Sequence, residues 1–153
     1  MNRFKVKLKV FFNASVILSG FRSSKGGSAK LIKFVKQKKI IGIINEIIIN
    51  EVLRNIHKTS IEVDEAKEII TKSFLIVSAP DENFFSYYKK ILLDEGDIHL
   101  FTSSKQIKAD FLVSLDKKHV LSLKNKINEF KIVSPKELIE FLKCGYDRSR
   151  RRL

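Results

Sequence analysis

Residues 9–20, KVFFNASVILSG, set a polar triplet inside an apolar run. Val10, Phe11, Phe12, Val16 and Ile17 all favour extended chain, and a short apolar run of this kind reads as a strand buried in a parallel sheet. Asn13-Ala14-Ser15 then places an amide and a hydroxyl where that strand ends. A strand-end turn uses such residues. So does a site, because α/β sheets collect functional groups at the carboxyl ends of their strands.

Working outward, the pattern alternates between strands and helices. Strands are expected over 5–12, 39–44 (KIIGII), 74–79 (FLIVSA), 110–115 (DFLVSL) and 131–134 (KIVS). The stretch GFRSSKGG reads as a loop, and Ser28 as the cap of a helix over 29–38. Asn45 opens a helix through about His57, and further helices are expected over 62–72, 82–93 and from Asp97 to about Ile107. A short helix follows Asp116. Pro135 begins a last helix that stops at Gly145, in keeping with proline in a first turn and glycine just past a helix end. This order predicts an α/β fold of three layers, α/β/α, around a mostly parallel central sheet. One domain spans 1–145, and 146–153 (YDRSRRRL) form a basic tail.

With 153 residues, 44% of them hydrophobic, the chain can bury a core. A single cysteine, Cys144, rules out a disulfide framework and a zinc ribbon or finger. His57, His99 and His119 share no ligand spacing among themselves. No run reaches the roughly 18 apolar residues of a membrane span, and lysines alternate through the first residues where a signal peptide would be apolar. The reading is a cytoplasmic protein that does not enter a membrane. Net charge is +13, unevenly placed: residues 1–60 hold ten lysines and three arginines against Glu46 and Glu51, a net +11. Such a field favours polyanions, nucleic acid first.

Three acids occupy suggestive places. Asp116 ends an apolar strand, Asp97 follows Gly96 and opens a helix, and Glu51 projects at the edge of the apolar arc of its helix. Aspartate is a preferred helix cap, which accounts for Asp97 and Asp116 without further chemistry. Glu51 can pair with Arg54 or Lys58. SKGGSAK lacks the spacing of a phosphate loop. Phe84, Phe85, Tyr87 and Tyr88 read as the packing face of a helix rather than a base-stacking platform.

Taken in order, these stretches resemble the PIN-domain nucleases over residues 5–143. That family opens with a strand ending in Asp-Thr-Asn or Asp-Thr-Ser, here Asn13-Ala14-Ser15, followed by Val16-Ile17. It continues with a glutamate in the helix after the second strand (Glu51 in INEVL) and an aspartate opening a later helix (Asp97 in DEGDIHLF). A strand then ends in Thr-Gly-Asp-Lys, here Ser114-Leu115-Asp116-Lys117, and KIVSPKELIEFL matches the last strand and helix. The Gly-Gly-Ser after the first strand suits one branch of the family. The departure is Asn13, where RNA-cleaving members carry aspartate.

The resemblance implies a ribonuclease that hydrolyses RNA phosphodiesters with Mg²⁺ or Mn²⁺. Glu51, Asp97 and Asp116 would be the catalytic acids, and Asn13, Glu51, Asp97 and Asp116 the metal ligands, with Asp94 a spare. Arg22, Lys25, Lys30 and Lys33 are the candidate RNA contacts, Arg22 and Lys25 beside the acids. Many small stand-alone members are toxins of toxin–antitoxin pairs, so the partners implied are RNA, an acidic antitoxin-like protein and a second copy of the chain. The alternative is a PIN module, inactive through Asn13, that binds RNA or protein.

Overall fold

Phe11, Phe12, Phe111, Leu112 and Val113 have no exposed surface. They belong to the two central strands of one sheet, covered on both faces, which is why their sequences do not alternate. The computed structural model describes residues 7–81, 83, 85–90 and 95–145. Its strands are β1 (Lys9–Phe12), β2 (Ile41–Asn45), β3 (Leu75–Val77), β4 (Phe111–Val113) and β5 (Lys131–Val133). All neighbours are parallel and the order is β3-β2-β1-β4-β5. The fold is α/β, and the parallel sheet expected from the alternation is present.

The helices are α1 (Ala14–Arg22), α2 (Gly27–Lys36), α3 (Glu46–Arg54), α4 (Val63–Ser73), α5 (Ser86–Lys89), α6 (Ile98–Gln106) and α7 (Pro135–Lys143). From β1 the chain steps outward to β2 and β3, then returns across the sheet to β4 and β5. β2 and β3 thus lie to one side of β1 in the sheet, and β4 and β5 to the other. The direction of winding therefore reverses between β1 and β4. In such sheets a crevice opens at the carboxyl ends of the strands that flank the reversal.

The largest departure from the sequence reading is α1. Val16 and Ile17 favour strands, yet Ala14–Arg22 is helical and GFRSSKGG is not all loop. Ala14, Val16, Ile17 and Phe21 form one buried face of that helix, and burial in the common core outweighs the few tenths of a kcal/mol by which β-branched residues disfavour helix. Helix α2 starts earlier than expected, with Gly26 as its cap and Ser28 buried inside it. The helix expected after Asp116 is a turn followed by a short 3₁₀ segment, Leu121–Leu123. Parts of the helix expected over 82–93, residues 5 and 6 of the first expected strand, and the tail over 146–153 lie outside the described residues.

Other local signals act as read. Asn45 caps α3 by accepting from Ile48 N–H at 2.9 Å. Ser134 and Glu137 cap α7 reciprocally, with Pro135 in its first turn. Gly42 in β2 is required by packing: a Cβ there would stand 2.9 Å from the Phe74 ring and 2.8 Å from Val35. Phe74 in turn packs edge-on against Phe12, the last residue of β1, with centroids 5.2 Å apart. The end of β1 is thus held rigidly from below. Among the described residues no helix is long and apolar enough to cross a membrane.

Candidate active site

Asn13 continues the β1–β4 ladder by one rung, donating its N–H to Val113 O at 3.0 Å, and its own carbonyl accepts from Val16 N–H at 3.1 Å to begin α1. Its backbone caps the helix but its side chain does not. The buried side chain turns instead to β4, where Nδ2 donates to Ser114 Oγ at 2.9 Å. Ser15 reaches across the same gap, its hydroxyl accepting from Leu115 N–H at 3.2 Å. The polar triplet is therefore the fastening between the two central strands at the point of reversal.

Asp116 follows β4 by three residues and holds a tight turn. Its Oδ1 accepts from the N–H groups of Lys118 at 3.1 Å and His119 at 2.9 Å. Its Oδ2 stands 3.3 Å from His119 Nδ1. Its own N–H donates to Ser114 Oγ at 3.0 Å. No helix follows, so the capping chemistry open to Asp116 in the sequence closes this turn instead, while its second carboxylate oxygen faces His119. Asp97 precedes α6, but its side chain makes no capping bond to that helix.

Glu51 lies on α3, which is keyed to α6 from inside. Asn45 Nδ2 lies 3.1 Å from His99 Nδ1 and donates to Ser103 Oγ at 2.9 Å. An amide N–H facing Nδ1 makes that nitrogen an acceptor, so His99 is neutral. Burial pushes its pKa down to about 4. This contact fixes the helix carrying Glu51 relative to the helix opened by Asp97. Burial raises the Glu51 carboxyl above the usual range, against the opposing pull of the Arg54 guanidinium.

Asn13, Glu51, Asp97 and Asp116 all line one hollow of about 450 Å³ at the carboxyl end of the sheet. Arg22, the last residue of α1, lines it too, as do Asn55 and Lys58. The last two escaped the sequence reading as site residues. Their signal is the spacing 51, 55, 58, which keeps three side chains on one side of a helical path. Lys25, Lys30 and Lys33 lie elsewhere. With Lys39 they line a second hollow of about 430 Å³ beside α2, around the ring of Phe34. The expectation that Lys25 stands with Arg22 beside the acids is thus corrected: Lys25 lies in the link 23–26 between α1 and α2 and lines the second hollow. Asp94 and Phe84 lie outside the described residues. Tyr88 packs inward on Phe101, while Tyr87 is half exposed.

The three histidines share no site, but one of them joins the acids. Asp97, Asp116 and His119 offer ligand atoms that all lie within 4.8 Å of one another, a group that Glu51 does not join. Comparing histidines only with each other hides this. The informative signal is a histidine three residues after an aspartate that opens a turn.

The sequence profile of the PIN domain matches residues 9–118. Among curated protein sequences none matches the chain significantly. Solved structures share its fold, among them the two that follow. VapBC2 from Rickettsia felis, crystallised with a DNA fragment from the promoter, superposes with a TM-score of 0.61 at 10% identity, covering 83% of this chain and 98% of the other. PAE2754 from Pyrobaculum aerophilum superposes with a TM-score of 0.60 at 13% identity, covering 90% and 96%. With the profile spanning both central strands and all four of Asn13, Glu51, Asp97 and Asp116, the chain belongs to the PIN-domain family.

Proposed function

We propose that the chain is a metal-dependent endoribonuclease of PIN type, acting as the toxin of a pair whose other member is an acidic protein. The observation that carries this reading is the convergence of Glu51, Asp97 and Asp116 from three separate segments onto one hollow. Acids brought close together repel, and a bound cation relieves that repulsion. PIN domains generally depend on a divalent metal, and the oxygen-rich donor set here suits one. Asp97 and Asp116 would hold Mg²⁺ or Mn²⁺, with Asn13 Oδ1 a weaker neutral donor. When bound, the ion supplies Lewis acidity for activating water and for neutralising the leaving oxygen.

The chain's own groups supply the rest. Glu51, partly buried and outside the tight acid group, would accept the proton of the attacking water. Arg22 and Lys58 stand on the same hollow and can clamp phosphates on either side of the scissile bond. The Asp116 turn holds its carboxylate in one orientation without help from substrate. The +13 net charge favours RNA as substrate and makes an acidic antitoxin a physically sensible cover for this face. One observation favours a second reading, an RNA-binding PIN module with little activity: Asn13 brings an amide, already engaged with Ser114, where a carboxylate would strengthen the site.

Incubating the purified chain with structured RNA and Mn²⁺ or Mg²⁺ tests the proposal. Cleavage that EDTA stops, and that Asp97→Asn and Asp116→Asn abolish, is the expected result. RNA binding without cleavage under either ion favours the second reading.

A further inference from the structure

We propose that His119 is a direct metal ligand and that it turns the hollow into a mixed nitrogen–oxygen site selecting Mn²⁺ over Mg²⁺. This rests on the reading of the chain as a metal-dependent nuclease and deepens it by naming the ion.

The ionisable donors nearest one another are not the four residues expected from the family pattern: Asp97 and Asp116 line the hollow, and His119 stands beside Asp116 at its edge without lining it. Among the described residues, the group of ionisable side chains able to close on one ion is Asp97, Asp116 and His119. Glu51 lies outside that group, and the Asn13 amide is neutral and tied through its nitrogen to Ser114. The centre of the donor set has moved toward β4 and the turn that follows it. His119 is built into that turn: its N–H is held at 2.9 Å by the Asp116 side chain, and its ring nitrogen faces the other oxygen of the same carboxylate at 3.3 Å. Asp116 and His119 can therefore present one oxygen and one nitrogen side by side without rearranging the backbone. Both side chains are about one-third exposed, at 32% and 37%, so an ion and its remaining waters can enter.

His99 cannot supply this nitrogen. It is buried, and its Nδ1 is occupied by Asn45. The chemistry of the donor set then decides the ion. Mg²⁺ is hard, demands near-ideal octahedral oxygen coordination and gives up its waters reluctantly. Carboxylates suit Mn²⁺ as well as Mg²⁺, but of the two only Mn²⁺ is a first-row transition ion, the class in which imidazole nitrogen is a customary ligand. An aspartate at position 13 would have pulled the ion toward an all-oxygen cage. Asn13 removes that pull, and His119 offers the alternative.

The test uses the full chain, Mn²⁺ and Mg²⁺ as separate probes, and a readout independent of cleavage. Calorimetry gives the two affinities, and pulsed electron paramagnetic resonance of the Mn²⁺ complex reads nitrogen coupling to the ion. The expected result is nitrogen coupling in the unaltered chain that disappears in His119→Gln. Mn²⁺ affinity should fall about 10- to 100-fold in that variant, while Mg²⁺ affinity changes little. His119→Asp, which restores an oxygen donor, should strengthen Mg²⁺ binding and narrow the preference. Thermal melts of both variants confirm that they fold. Bound Mn²⁺ without nitrogen coupling, in a protein that cleaves RNA, overturns the His119 assignment and leaves the nuclease reading standing. So does an equal loss of both ions in His119→Gln, which makes His119 only a brace for Asp116. If neither ion binds and no RNA is cut, both readings fall.

Discussion

Ser114 Oγ receives Asn13 Nδ2 at 2.9 Å and the Asp116 N–H at 3.0 Å, so one buried hydroxyl fastens the first and last residues of the acid-lined hollow together. A hydroxyl has two acceptor positions and one proton. Here both acceptor positions are in use, and the proton must go elsewhere.

An aspartate at position 13 resolves this arrangement. Its carboxylate would accept the Ser114 proton while Ser114 still accepts from Asp116. It would also add a negative charge to the hollow. At an effective dielectric of about 20, a unit charge pair at about 4 Å is worth about 4 kcal/mol. Dehydration and repulsion from Asp97 and Asp116 offset most of that. A net gain of about 1–2 kcal/mol corresponds to about ten- to thirtyfold in affinity. Asn13→Asp should therefore bind Mn²⁺ more tightly by calorimetry and cleave RNA faster. Adding Asp116→Asn should erase the gain. Unchanged affinity in Asn13→Asp would place the ion away from β1.

Glu51 should show a trade between function and stability. Its carboxyl titrates above the ordinary range because burial disfavours its charge. A raised acid is deprotonated more readily in the unfolded chain, so near neutral pH it works against folding, and acidification through its folded pKa relieves the cost. Glu51→Gln should melt at a higher temperature than the unaltered chain at pH 7.5 and lose cleavage. The difference in melting temperature should shrink as pH falls toward the raised pKa. A lower melting temperature at pH 7.5 would mean that Glu51 is engaged in a stabilising pair.

His99 predicts an acid limb in stability. Its folded pKa of about 4 lies below the ordinary value of 6.5. The unfolded chain takes up the proton as pH falls through 6.5, and the folded chain does so only near 4. Stability is therefore full above that window and declines as pH falls within it. At about 1.4 kcal/mol per pH unit, His99 costs about 2 kcal/mol between pH 7.5 and pH 5. Urea unfolding at the two values measures this. His99→Gln, which keeps a hydrogen-bonding group toward Asn45 without titrating, should flatten the slope.

The two groups of cations should separate binding from chemistry. Lys30, Lys33 and Lys39 stand on the second hollow, away from the acids. Replacing all three by alanine should weaken RNA binding, reduce its salt slope by about 2–3 and spare turnover of bound RNA. Arg22→Ala with Lys58→Ala should slow turnover of bound RNA as well. Equal effects of the two sets on single-turnover rates would count against the division.

Much of this architecture is legible in residue order. The apolar runs at 10–12, 41–44 and 111–113 announce strands because parallel strands covered on both faces need continuous apolar sequence. Asn45, Ser134 and Gly145 mark helix ends because caps are local chemistry, decided within a few residues. Helix α1 was hidden for the opposite reason. Val16 and Ile17 carry a strand preference, and only a core assembled from distant segments supplies the surface that makes a helix the better burial. The hollow depends on tertiary structure in the same way. Asn13 meets Ser114 across 101 positions of sequence, and strand order alone puts the residues after β1 and β4 side by side. His119 acquires its meaning only beside Asp97, and Lys25 loses its place beside the acids because it lies in the link between α1 and α2 and lines the second hollow. Local sequence specifies which segments form strands, helices and caps; which of their ends meet is settled by the packing of the whole sheet.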